Sequence, residues 1–152
     1  MANVTHSSLT GANLHEPKGV ATATNNEVYV ANGTGSGTWS PIQHVLISYL
    51  EDVSTAETVY IPIPFTGTIT KVTSVLTNAI TVADSTVTIK NSAGTSMGTM
   101  TIAYSGSAAG DIDSNSSLTN NTVTANSFIT IETDGASNTS AKLWLSIVLD
   151  RS

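Results

Sequence analysis

The chain has no cysteine, which removes disulfides and thiolate metal sites from its chemistry. Charge is scarce as well: Asp, Glu, Lys and Arg make up 11% of 152 residues, and the cations are four lysines and one arginine, placed singly. Gripping DNA or RNA requires clustered cations that displace counterions from phosphates. With a net charge of −6, nucleic acid and anionic membrane are both excluded as partners. No apolar run approaches the roughly 20 residues of a membrane-spanning helix. No secretory signal pattern precedes the first polar stretch, so the chain reads as soluble and made in the cytosol. The Asn-x-Ser/Thr triplets at Asn3, Asn32, Asn115, Asn120 and Asn138 then follow from composition alone.

What fills the space is hydroxyl and amide: 25 threonines and 20 serines beside a hydrophobic content of 39%. Threonine suits a pleated, half-buried surface, and the Lys, Glu, Leu and Ala of helices are in short supply. The apolar alternation after residue 42 argues against disorder. At this length the chain holds one domain with a real core plus an arm.

The arm is Leu9 to Trp39, LTGANLHEPKGVATATNNEVYVANGTGSGTW. An amphiphilic cluster (Leu9, Leu14, His15, Glu16, Pro17, Lys18, with Val20 beyond) leads into small residues and a short alternation at Val28 and Val30. Gly33, Gly35 and Gly37 alternate with Thr34 and Ser36, a flexible hinge by composition, and Trp39 closes the stretch as an anchor. This gives an extended arm over 1–40 and a body over 41–152.

LTGANLHEPKG followed by VYVANGTGSGTW resembles the N-terminal segment of small tailed-bacteriophage virion proteins, the head decoration (cement) and head-fibre class. The likeness covers the first quarter of the chain; the rest matches only in style, as a Thr-rich β domain. It implies a jelly-roll-like homotrimer on the outer surface of the virion, with the major capsid protein as partner and the arm as the docking element.

The body reads as about eight strands. Gln43 to Val53 places Val45, Ile47 and Tyr49 on one face and Leu46 and Leu50 on the other, so both faces are expected to be covered, the outer one by a neighbouring subunit or the arm. A short helix is the alternative there; Ile and Val favour strand. Thr58 to Ile63 alternates and ends at Pro62 and Pro64, which suit an edge or rim. Thr68 to Thr77 has helix-like spacing at Ile69, Val72, Val75 and Leu76, but its Thr and Ser content predicts a strand with a bulge. Thr86 to Lys90 and Gly98 to Tyr104 form a hairpin about Asn91–Gly94, with Val87, Ile89, Met100, Ile102 and Tyr104 inward. Residues 105–121 read as loop. Phe128 to Thr133 and Lys142 to Asp150 form a final pair; the last strand, with Leu143, Leu145, Ile147 and Leu149 on one face, is expected to be central. The fold class is therefore all-β, an antiparallel two-sheet sandwich, jelly-roll-like, behind an extended arm.

Candidate chemistry is thin. His6, His15 and His44 lie far apart, without a carboxylate at ligand spacing. No Gly-x-Ser-x-Gly arrangement stands between a strand and a helix, and the glycine run lacks the Lys of a phosphate loop. Glu51-Asp52 reads as a solvated rim. Asp111-Ile-Asp113-Ser-Asn115 opens like a calcium loop but has Ser116 at the sixth place and Thr122 at the twelfth, so a polar loop is the better reading. Trp39 and Trp144 could form a sugar platform, yet read better as packing anchors. No enzyme, cofactor or metal site is expected. A host-surface glycan, bound by a head fibre or other fibre module, is the alternative to decoration.

Overall fold

The computed structural model describes residues 23–34 and 36–152. The chain divides into two compact units between Ile42 and Gln43. In the first, β1 (Glu27–Ala31) and β2 (Gly37–Pro41) form an antiparallel ribbon with Glu27 opposite Pro41 and Ala31 opposite Gly37. The apolar alternation at Val28 and Val30 is thus a strand, and this part of the arm is a hairpin rather than extended chain. The backbone N–H of Ile42 donates to Asn26 O at 2.9 Å and closes its base.

The second unit contains β3 (Gln43–Leu50), β4 (Glu57–Pro62), β5 (Gly67–Leu76), β6 (Ser85–Asn91), β7 (Ser96–Ile102), β8 (Ile112–Asn115), β9 (Thr122–Val123), β10 (Phe128–Thr133) and β11 (Leu143–Arg151). One sheet runs β3-β11-β5-β8, with β9 added to β5; the other runs β4-β10-β6-β7. All pairings are antiparallel. Apart from the β6–β7 hairpin and the short β9, the chain changes sheet at every connection. That alternation is the winding of an eight-stranded jelly roll.

The inner faces follow a period of two. On β11, Leu143, Leu145, Ile147 and Leu149 are buried, and they share one cluster with Val87 and Ile89 of β6 and Ile129 and Ile131 of β10. The strand is central in its sheet, between β3 and β5, as its composition suggests. On β5 the helix-like spacing is resolved by a bulge. Val148 faces Lys71 and Leu149 faces Ile69, so Thr70 is the extra residue and both Ile69 and Val72 reach the core.

Several expectations need correction. β10 and β11 do not pair with each other; each belongs to a different sheet. Their connection carries Gly135 at φ +68, where a Cβ would lie 2.3 Å from Ala56 N, so the crossing passes where only glycine fits. Residues 105–121 are not all loop, because β8 lies against β5 with Asp113 opposite Ser74. Tyr104 is beyond the end of β7 and exposed. A register shift at Ile89/Lys90 turns Met97 inward beside Met100 and Ile102. The proline reading holds: β4, ending at Pro62, is an edge strand.

Candidate functional site

Leu9, Leu14, His15, Glu16, Pro17, Lys18 and Val20, the residues expected to dock on a capsid, lie outside the described residues, as do His6 and Gly35. The other glycines of the run belong to the loop and second strand of the β1–β2 ribbon. Gly33 takes φ +76 in the turn. The Asn32 side-chain carbonyl accepts from Thr34 N at 2.9 Å and Ser36 N at 3.2 Å, and Asn32 N donates to Ser36 O at 2.8 Å. Gly37 is a strand residue: a Cβ there would lie 2.2 Å from Val30 O and 2.9 Å from the Tyr29 ring. Its bare Cα lets that ring pack close, and Tyr29 meets Trp39 edge-on at 5.4 Å. Trp39 therefore packs within the ribbon, and the glycine run joins two paired strands.

In the body, the acidic pairs are tied to backbone. Asp52 Oδ1 accepts from the Ser54 hydroxyl at 2.7 Å and Ser54 N at 2.8 Å. These bonds hold its carboxyl below the ordinary value. Glu51 pairs with Lys142 at 3.0 Å, as befits a rim. Asp111 accepts from Ala108 N at 2.6 Å, and Asn115 donates to Thr99 O at 2.8 Å. Asp113 is raised by desolvation, then by the neighbouring Asp111 charge. The calcium-loop pattern is thus spread along a strand rather than curled around a centre. The adjoining hollow, about 140 Å³ and lined by Leu76, Ile102, Asp111 and Asp113 among others, is below the size of a small-molecule pocket. Among the described residues no group of three or more His, Asp or Glu could hold a metal. His44 stacks on Phe65 at 4.4 Å, and the Arg151 guanidinium lies 4.6 Å from the centre of that ring.

The outer face of the β3-β11-β5-β8 sheet extends the apolar face foreseen on β3 to residues that sequence reasoning did not place there, Val75 and Ile112. Register places Tyr49, Trp144, Val75 and Ile112 in one row across four strands. The next rows begin at Ile47 and Val45 on β3. All six are exposed, Ile47 at 63% and Ile112 at 68%. Trp144, expected as a packing anchor, is 45% exposed and leans on Tyr49 at 5.2 Å. The Lys142 ammonium sits 4.5 Å above the Tyr49 ring while bonded to Glu51, so that end of the row is aromatic with a charged border. The outer face of β3 was expected to be covered by a neighbouring subunit or the arm; among the described residues it is exposed. The two-faced apolar pattern of β3 and β11 was the available signal.

No family model matches the chain, and no curated protein does. Among solved structures, a chain of the cyanophage Pam1 capsid asymmetric unit superposes with a TM-score of 0.47 at 16% identity, over 74% of this chain and 87% of that one.

Proposed function

We propose that this chain is a structural protein of a phage particle that decorates and stabilises the capsid from outside. Residues 9–20 dock on the major capsid protein, and the jelly-roll body is displayed outward as a homo-oligomer, a trimer by the resemblance of its N-terminal segment. The observation that carries the reading is that segment, LTGANLHEPKG, set ahead of a β body that is a separate compact unit. Leu14, Pro17 and Val20 supply apolar anchors, and Glu16 and Lys18 can pair with a polar rim. Ordering such a stretch costs roughly 1–2 kcal/mol per residue of backbone entropy, which a partner surface offsets. Repetition of weak arms around an oligomer turns modest affinity into lasting attachment. The reading assigns the protein no catalytic step and no cofactor.

The test is deletion of residues 1–20, followed by circular dichroism and co-sedimentation with undecorated capsids. The truncated protein is expected to keep its β spectrum and lose the capsid pellet. Decoration at full occupancy by the truncated protein would move the docking surface to the body.

A second reading, a host-surface glycan module, is favoured by one observation: the exposed Tyr49 and Trp144 rings beside Lys142 and Glu51. It requires saturable sugar binding that is lost in Trp144→Ala, with capsid attachment unaffected.

A further inference from the structure

An antiparallel sandwich has four edges, and each exposes unpaired backbone donors and acceptors that natural proteins guard. Three are guarded here. β4 ends at Pro62, with Pro64 just beyond. β7 carries the bulge that turns Met97 inward. β8 has only four residues, one of them Asp113. β3 has none of these devices: eight residues, no Pro, Gly, Lys, Arg, Asp or Glu, and an unbroken register with β11. Among the described residues no strand pairs with its other side.

The surfaces beside that edge are apolar on both sides. Outward lie Val45, Ile47 and Tyr49, continued by Trp144, Val75 and Ile112. Leu46 also lines a groove of about 450 Å³ with Pro62, Ile63 and Pro64, closed by the polar Asn126 and Ser127. Six half-exposed side chains at roughly 100 Å² apiece put about 600 Å² of apolar surface on one face, the upper end for a lone soluble domain. A standard interface takes about 800 Å² per partner, so this patch with its polar border is the size of one.

We infer that the β3 edge and the outer face beside it form the contact between copies of this chain. This rests on the reading of the protein as an oligomer and names the surface that makes it one. A second copy is the occupant that fits. An unguarded edge next to bare apolar surface has to be covered as soon as the chain folds, and the partner always present at matching concentration is the chain itself. A twofold arrangement would set the stripe against its own copy, and in a threefold one each copy would turn its stripe toward the axis, with Ile47 central in either case.

The experiment is sedimentation of the full chain at micromolar concentration, with two variants. Ile47→Lys adds a charge at an exposed position and should leave folding intact, as judged by circular dichroism. Tyr60→Lys makes the equivalent change on the outer face of the other sheet, where Tyr60 is also exposed. The wild type and Tyr60→Lys are expected to sediment as a multiple of 15.7 kDa, and Ile47→Lys as a 15.7 kDa species. A wild type at 15.7 kDa, or an oligomer that Ile47→Lys leaves intact, would overturn the assignment. Capsid pelleting separates this from docking: Ile47→Lys monomers retain the arm and bind weakly, whereas oligomers lacking residues 1–20 do not bind.

Discussion

The two outer faces of the sandwich are built on the same inner pattern and differ in almost everything else. Outside the β4-β10-β6-β7 sheet stand Thr58, Glu132, Thr88 and Thr99 in one row and Tyr60, Thr130, Lys90 and Ser96 in the next. Lys90 and Glu132 form an ion pair there, and the one aromatic contact is Tyr60 against Phe128 at its edge. Outside the β3-β11-β5-β8 sheet stand Tyr49, Trp144, Val75 and Ile112 in one row; Ile47 and Val45 begin the next two, which continue through Ser146, Thr73 and Ser114 and through Val148 and Lys71. A threonine face satisfies water while keeping strand propensity. A row of rings and branched aliphatics does not, and that asymmetry is what the inferred contact between copies rests on.

The inner faces should be equivalent, so core truncation sets the scale. Leu145→Ala, at a position 2% exposed, is expected to cost about 2–5 kcal/mol in urea unfolding. Ile131→Ala on the opposite sheet should fall in the same range and melt the body in the same single transition. If one substitution leaves half the signal standing, the two sheets are not one cooperative unit. Next comes the link between them. Gly135→Ala forces a side chain into left-handed backbone, costing roughly 1–2 kcal/mol before the close approach to Ala56 N is counted. A neutral result in the same unfolding assay would mean that the connection relaxes freely.

The outer faces should differ in assembly and hardly at all in folding. Ile47→Lys and Thr88→Lys are each expected to change stability by within about 0.5 kcal/mol, the usual surface range. Lys90→Ala removes a partly exposed ion pair and should cost about 0–1 kcal/mol. Only Ile47→Lys should alter the sedimenting mass.

The smallest effects are those of pH. For Asp134, burial works to raise the carboxyl, but hydrogen bonds from Ala136 N, Thr86 N and the Ser85 hydroxyl outweigh it and leave it lowered. Asp52 is lowered by its bonds to Ser54. A depressed carboxyl contributes stability that is present above its unfolded value, near 3.9, and is lost as pH falls through the folded value. Asp113 is raised, so its ionisation opposes folding above the unfolded value, and acid relieves that strain. Asp134→Asn and Asp52→Asn should therefore flatten the acid limb of a stability–pH curve, and Asp113→Asn should steepen it. Identical slopes in all three variants would remove these carboxyls from the account.

Much of the body was legible because period-two alternation is a local property. The inward rows of β6 and β11, the central place of β11 and the bulge in β5 all follow from which residues must reach a core. Strand partners were legible only for the β6–β7 hairpin, whose turn is local. β10 and β11 look like a hairpin in sequence and lie in different sheets, since nothing local records which connection crosses the sandwich. β8 was hidden because Ile112-Asp-Ser-Asn pairs along an edge with little apolar content. Trp144 was read as a packing anchor, and it does lean on Tyr49, but nearly half of it is exposed. Its exposure depends on what lies across the outer face, a property of neighbours rather than of the strand. The glycine run looked like a joint, while Gly37 is glycine for packing, to admit the Tyr29 ring. The docking residues between Leu9 and Val20 rest on the sequence segment alone.

The account joins two affinities, copies to one another through the body and the assembly to a capsid through the arm. One mass measurement addresses both: analytical ultracentrifugation of the full chain, alone and after mixing with undecorated capsids. The account predicts a multiple of 15.7 kDa for the free protein, and its disappearance into the capsid boundary on mixing. A 15.7 kDa species that persists unchanged in both samples would contradict it.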